Sequence, residues 1–287
     1  MNITDTQRKI NDKVQDYSYS VLLPVYYKDS PLFLQAAIDS MLKQTIPPEE
    51  IVIAVDGAIG QALWSTINNY KHNNEQLFSI FSYEKNEGLG SLLRKTLPLC
   101  RNEYIARMDA DDYSAPDRIQ KQIAVLREYT DVDMVGCNVN EFEDSIELPV
   151  AQVILPEKPE ANLKYAKRRC PMRHPTLFYK KSDVLKVGNY APMFSLEDYE
   201  LVVRMLHSGV RLYNVQEPLV CMRISKDFYR RRGGMHYLKC MIKMKVGFVE
   251  MGFMSVVDFI ISCGGQAVVI LMPGWFREWF YMKFLRK

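Results

Sequence analysis

No two cysteines of the 287-residue chain stand in a C-x-x-C spacing, and the six (Cys100, Cys137, Cys170, Cys221, Cys240 and Cys263) are widely scattered with no zinc-type His spacing near them. A structural zinc site is not expected. A run of about 20 apolar residues, the length a bilayer-crossing helix needs, is also missing. The best candidate, Phe259 to Met272, is broken by Gly264, Gly265 and Gln266, and extending it back to Phe253 buries Asp258, which is costly in hydrocarbon. Met1 to Asp5 leads into a polar stretch without an apolar core, so no secretory signal is expected, and reduced thiols in the cytoplasm are the default. Internal repeats and Gly/Ser/Pro-rich linkers are absent. With 48% hydrophobic and 25% charged residues, wholesale disorder is excluded and a sizeable core is within reach.

Charge is sparse in total but uneven. Net charge is only +3, yet from Lys226 to Lys287 there are 11 Lys and Arg against 4 Asp and Glu, a basic tail of +7 on a body of −4. Such a tail suits an anionic partner, membrane or nucleic acid.

What is present is a rhythm. Tyr19 to Val25 reads as a buried strand, and Pro31 to Lys43 carries apolar residues at helical spacing. Ile51 to Val55 is a second strand, ended by Asp56 and Gly57; Gln61 to Tyr70 a helix; Phe78 to Tyr83 a strand; Gly90 to Leu99 a helix. Tyr104 to Met108 is a strand that stops at Asp109, Ala110, Asp111 and Asp112, and Pro116 to Tyr129 is a helix with proline in its first turn. Further on, Met134 to Phe142, Val150 to Leu155 and Thr176 to Tyr179 read as strands, Glu160 to Arg168 and Tyr199 to Ser208 as helices, and Val210 to Met222 as an extended segment. The alternation predicts an α/β layer structure with a mainly parallel sheet, whose ligands bind at the carboxyl ends of the strands. Residues 1–17 read as a flexible lead-in, 18–225 as one domain and 226–287 as a separate unit.

Three carboxylates within four residues repel one another unless a cation neutralises them. Alternate carboxylates after a strand can hold a hard divalent ion of the kind a diphosphate substrate needs. The bland alternative is an acidic turn capping the next helix. A calcium EF-hand loop is excluded by Tyr113 and Ser114. An aspartyl-phosphatase loop is disfavoured by Tyr113, and a dinucleotide fold by Pro24, Val25, Tyr26 and Tyr27 where G-x-G-x-x-G belongs.

The segments YSVLLPVYY (19–27), VDG (55–57), NEGLG (86–90), ARMDADD (106–112) and LEDYELVVRM (196–205) occur in order. Together they resemble the family 2 glycosyltransferases, over roughly residues 18–225. The resemblance implies a GT-A fold, a Rossmann-like mixed sheet flanked by helices, and a nucleotide-diphospho-sugar donor. It places Pro24, Val25 and Tyr26 along the nucleotide, Asp56 on the base, and Asn86 and Gly88 in a turn that admits the nucleotide. Arg94, where many relatives carry Asn, is left to pair with phosphate. Asp111 becomes the direct ligand of Mg²⁺ or Mn²⁺, with Asp109 on the ribose or a metal-bound water. Asp198 becomes the general base that deprotonates an acceptor hydroxyl, giving inversion. Glu197 and His174 fall on the acceptor side; a lone His before proline is more often structural. Arg223 and the run Arg230, Arg231, Arg232 read either as a basic loop over the diphosphate, with Arg231 on the donor, or as a membrane-surface patch.

The tail interleaves Trp275, Phe276, Trp279, Phe280, Tyr281 and Phe284 with Arg277, Lys283, Arg286 and Lys287. That mixture suits the headgroup region of a bilayer. Residues 248–287 are expected as helices lying in a membrane surface; the alternative is a helical pair packed on protein. An interfacial enzyme of this family implies a lipid-linked or oligosaccharide acceptor, here a polyprenyl-diphosphate-linked sugar on the cytoplasmic side of the inner membrane, and no nucleic-acid partner. The rivals are a nucleotidyltransferase, which wants a Gly-rich basic loop that Tyr26 to Asp29 lacks, and a non-catalytic membrane-attached scaffold.

Overall fold

The computed structural model describes residues 17–193, 195–224 and 233–273. Arg231 with its neighbours Arg230 and Arg232, nearly all of the lead-in, and the aromatic stretch from Trp275 onward lie outside the described residues.

Strands β1 (Tyr19–Tyr26) and β2 (Glu50–Asp56) are almost entirely buried, as near-continuous apolar runs covered on both faces must be. β1 pairs in parallel with β2, β2 with β3 (Phe78–Tyr83), and β1 with β4 (Tyr104–Arg107). Two strands follow in sequence, β5 (Tyr113–Ser114) and β6 (Met134–Phe142), and three more complete the sheet: β7 (Ala151–Val153), β8 (Phe178–Lys180) and β9 (Leu212–Arg223). Their order is β3-β2-β1-β4-β8-β6-β9-β5, with β7 on β6. Parallel pairing therefore runs through β1 to β4 and recurs between β6 and β9. β8 runs antiparallel to both β4 and β6, and β5 antiparallel to β9, which makes the whole sheet mixed.

Alternating side chains of the central strands feed two cores. Val21, Leu23, Ile51 and Ile53 face one side, covered by α1 (Pro31–Leu42), α2 (Gln61–Asn73) and, after α3 (Leu89–Thr96), α4 (Arg118–Glu128). α1 begins with Pro31 after Ser30 and buries Leu34, Ala37, Ile38 and Met41, a helical stripe. Leu22 and Val52 face the other side, with Leu93 of α3. After α5 (Pro159–Ala166) and α6 (Lys181–Lys186), α7 (Glu197–His207) adds Leu201, Val202 and Met205 to this core.

Pro24 sits in the middle of the sheet, a place proline normally avoids. The β4 ladder explains it: its last pair is Leu22 with Arg107, Met108 donates to the Leu22 carbonyl, and β4 then leaves. Pro24 has the same orientation as Leu22, so its missing N–H points to where β4 has already gone. The parting of these strands sends residues 109–112 off at the carboxyl edge of the sheet, the edge at which Tyr26, Asp56 and Tyr83 stand in register on β1, β2 and β3.

The tail forms a helical pair, α8 (Gly234–Glu250) and α9 (Val256–Leu271). Expected as a unit apart, it shares the core of α7: Leu238, Met241, Met244 and Phe248 are buried there, and the Phe248 ring meets Tyr199 edge-on at 5.3 Å. No described helix is long and apolar enough to cross a membrane.

Candidate active site

At the carboxyl edge the VDG and NEGLG motifs form one structure. Asp56 is buried, and its carboxylate accepts from the backbone N–H groups of Glu87 and Gly88, both at 3.0 Å, while Asn86 Nδ2 donates to the Asp56 carbonyl at 3.2 Å. Gly57 has φ +82°, and a Cβ there would lie 2.8 Å from the Asn86 nitrogen. Glycine is required both by conformation and by space. A Cβ on Gly90 would lie 2.3 Å from the Ala191 carbonyl oxygen and 3.1 Å from the Glu197 Cβ. The start of α3 therefore abuts the start of α7.

The acidic turn is the electrostatic centre. Carboxylate oxygens of Asp109, Asp111 and Asp112 lie within 4.8 Å of one another. Burial, and then the Asp109 charge, pushes the Asp111 carboxyl up to about 6 and Asp112 well above the usual range. A fourth carboxylate joins them: Asp29, which accepts from the Tyr26 N–H at 2.8 Å, is pushed up to about 7, chiefly by burial and further by Asp111 and Asp109. Two guanidinium groups oppose this charge. Arg107, wholly buried at the end of β4, pairs with Asp109. Burial alone would disfavour its charge, but Asp109 outweighs burial and holds the group protonated. Arg223, at the end of β9, donates its backbone N–H to Asp112 at 2.8 Å and its Nη1 to the Glu143 carbonyl at 2.7 Å. Its guanidinium lies 3.7 Å from the Phe33 ring centre and 4.4 Å from that of Phe142. It is a rivet for the turn rather than part of a free basic loop.

The first turn of α7 holds Glu197, Asp198 and Glu200, favoured there by the helix dipole. Asp198 Oδ1 accepts from the Tyr199 N–H at 2.7 Å. Glu197 is buried, and burial followed by the Asp198 charge pushes it up to about 7; the Asp109 charge also reaches it. The α7 carboxylates and the acidic turn thus share one field. His174 is buried and its Nε2 lies 3.0 Å from the Tyr190 hydroxyl, which is 3.2 Å from that of Tyr179. Burial, then Arg107, holds His174 well below its usual range, hence neutral. Arg94 is placed elsewhere than the sequence suggests: its Nη1 donates to the Gly188 and Tyr190 carbonyls at 2.9 and 3.0 Å. With Arg204, which donates to the Asn189 carbonyl at 2.7 Å, it clamps the loop that carries Tyr190.

The structure therefore gathers Tyr26, Asp56, Asn86, Gly88, Asp109, Asp111, Glu197 and Asp198 at one end of the sheet and gives Arg94 to a supporting loop. Sequence reasoning missed Asp29, Arg107 and Tyr190. A signal existed only for Arg107, a charge inside the otherwise apolar strand YIARM. The donor set suits a hard divalent cation: three convergent carboxylates, with Asp112 Oδ2 buried and without a hydrogen-bond partner.

A mixed sheet with an acidic turn at the carboxyl edge of its parallel half defines the GT-A class of nucleotide-sugar transferases. A mannosyltransferase from Pyrobaculum calidifontis, solved with GDP-Man and Mn²⁺, shares the fold with a TM-score of 0.62 at 14% identity, covering 87% of this chain and 68% of that one. TarS 1-349 of S. aureus, solved with UDP-GlcNAc, does so with a TM-score of 0.59 at 17% identity over 82% and 72% of the two chains. The glycosyl transferase family 2 model matches residues 20–186, and the chain belongs to that family. Among its relatives is a UDP-Gal:alpha-D-GlcNAc-diphosphoundecaprenol beta-1,3-galactosyltransferase of Escherichia coli, 35% identical over 94% of this chain and 97% of the relative. Another is the amylovoran biosynthesis glycosyltransferase AmsE of Erwinia amylovora, 28% identical over 92% and 98%.

Proposed function

We propose that this glycosyltransferase moves a sugar, with inversion, from a UDP-sugar to a hydroxyl of a polyprenyl-diphosphate-linked glycan during surface-polysaccharide assembly, on the cytoplasmic side of a membrane. The observation that carries the reading is the convergence of the acidic turn with the α7 carboxylates in one field. The acceptor class is supported by the E. coli relative, whose own acceptor is a diphosphoundecaprenol-linked sugar and which aligns along almost its whole length.

On this reading Pro24, Val25 and Tyr26 lie along the nucleotide, and the turn that Asp56 holds through Glu87 and Gly88 lets backbone approach it. Asp111 and Asp109 would hold Mg²⁺ or Mn²⁺, with Asp112 behind them. Bound there, the ion supplies Lewis-acid stabilisation to the departing diphosphate. Asp198 takes the proton of the acceptor hydroxyl, which then attacks the anomeric carbon from the face opposite the leaving group. One base and direct displacement invert the configuration. Glu197, buried and easily protonated near neutrality, limits repulsion beside an ionised Asp198. Neutral His174 keeps the Tyr190 hydroxyl in place on the acceptor side.

The test is release of nucleotide diphosphate from a panel of nucleotide-sugars, with and without Mn²⁺ and a lipid-diphosphate acceptor. Asp111→Asn should abolish cation-stimulated turnover while the protein still melts cooperatively. Asp198→Asn should bind donor like the parent by titration calorimetry but transfer about 10² to 10⁴ times more slowly. Full turnover in Asp111→Asn would overturn the cation assignment, and unimpaired transfer by Asp198→Asn would overturn the base.

A further inference from the structure

We propose that Arg223 is a positioning residue of the reaction: by its planar guanidinium, and not by its charge, it holds Asp111 in the orientation that grips the divalent cation. The inference rests on the cation reading of the acidic turn and extends it to a residue outside the ligand set.

The turn joining β4 to β5 is tied at its two ends. Asp109 pairs with buried Arg107, and Asp112 accepts from the Arg223 backbone N–H at 2.8 Å, while the next residue, Tyr113, stands opposite Cys221 in the β5–β9 register. Asp111 lies between these anchors. Its carbonyl oxygen accepts from Arg223 Nε at 3.3 Å, and that bond fixes the peptide plane from which the Asp111 side chain departs. Groups that orient a metal ligand in this way govern the affinity of the site almost as much as the ligand does.

The guanidinium is itself immobilised. Nη1 donates to the carbonyl of Glu143, just past the end of β6, at 2.7 Å, and the central carbon lies 3.7 and 4.4 Å from the ring centres of Phe33 and Phe142. Separations that short are reached only over the face of a ring. Phe142 is the partner of Arg223 in the β6–β9 register, and Phe33 belongs to the first turn of α1. One planar group thus joins the ends of two strands and the start of a helix to the turn. A lysine would carry the same charge but has neither the Nε donor nor the plane, so it could not bond both carbonyls while stacked.

Charge alone would work against the cation. The positive charge of Arg223 reaches both Asp111 and Asp112, and it repels an arriving divalent ion. Acting only as a charge, Arg223 would weaken cation binding; acting through the turn, it strengthens it. The two roles have opposite signs and are therefore separable.

The test is Mn²⁺ binding by the full-length protein without nucleotide, read as loss of the free-ion electron paramagnetic resonance signal. Arg223→Lys should weaken binding by about tenfold, and Arg223→Gln should weaken it as well. Phe33→Leu, which removes one stacking ring and leaves the charge, should weaken it by roughly threefold. In turnover, the Mn²⁺ concentration giving half-maximal release of nucleotide diphosphate should rise by the same factors. Arg223→Lys melting at a lower temperature yet binding Mn²⁺ like the parent would make the residue structural only and overturn the inference. So would Arg223→Gln binding Mn²⁺ more tightly, the mark of a charge role. Mn²⁺ binding that holds in Arg223→Lys while UDP binding in EDTA falls would place the guanidinium on the diphosphate instead, and also overturn it. Mn²⁺ binding that survives Asp111→Asn unchanged would refute the cation reading of the turn, and this inference with it.

Discussion

Arg107 shows how one residue shapes a site it need not touch. Its guanidinium is buried among Asp109, Asp112 and Tyr190, so removing it leaves uncompensated carboxylates out of water. Arg107→Met should destabilise the protein by about 3–5 kcal/mol, the cost of breaking a buried pair. A divalent cation offers the same carboxylates a substitute charge. Millimolar Mn²⁺ should therefore recover part of the lost melting temperature in the variant and raise it less in the parent, read by thermal denaturation in parallel. An equal response in both proteins would remove Arg107 from the charge balance of the acidic turn. Its neighbours divide by legibility. Asp109 and Asp111 stood out because paired carboxylates just after a strand suit a cation, and Asp198 because the segment LEDYELVVRM around it resembles the family. Asp29 and Tyr190 did not, since their partners lie far along the chain: Asp29 meets the acidic turn and Tyr190 meets His174 only after folding.

At the level of elements, the parallel half β1 to β4 was legible because β1 and β2 are apolar runs closed by turn residues. In the second half β6 begins and ends at the residues expected, Met134 and Phe142, but its neighbours do not follow the expected pattern. The expected strand Thr176 to Tyr179 starts only at Phe178, because Pro175 takes His174 to Thr176 into a 3-10 turn. Whether β8 runs parallel or antiparallel depends on partners that no local pattern encodes. The α8–α9 pair yields a prediction of its own. Burial lowers Lys245 to about 8, below the value of the unfolded chain, so the unfolded state binds the proton more tightly between about pH 8 and 10.5. Stability from this group is thus depressed at neutral pH and rises with pH through that window. Compared with Lys245→Met, the parent should gain up to about 3 kcal/mol between pH 7 and 10, measured by chemical denaturation. Parallel pH curves would show that Lys245 is not held away from water.

For the whole molecule, donor and cation should report on folding as well as on chemistry. Whatever binds only the folded state stabilises it, by about 2.7 kcal/mol at a hundred times its dissociation constant. UDP with Mn²⁺ should then raise the melting temperature by roughly 5–10 °C, while Asp111→Asn should respond to neither. A shift retained in that variant would move the cation elsewhere. The edge-on contact of Tyr199 with Phe248 has a further consequence. Tyr199 directly follows Asp198, so the helical pair and the carboxylate proposed as the base are bolted to a single frame, like a gauge whose foot and needle cannot shift independently.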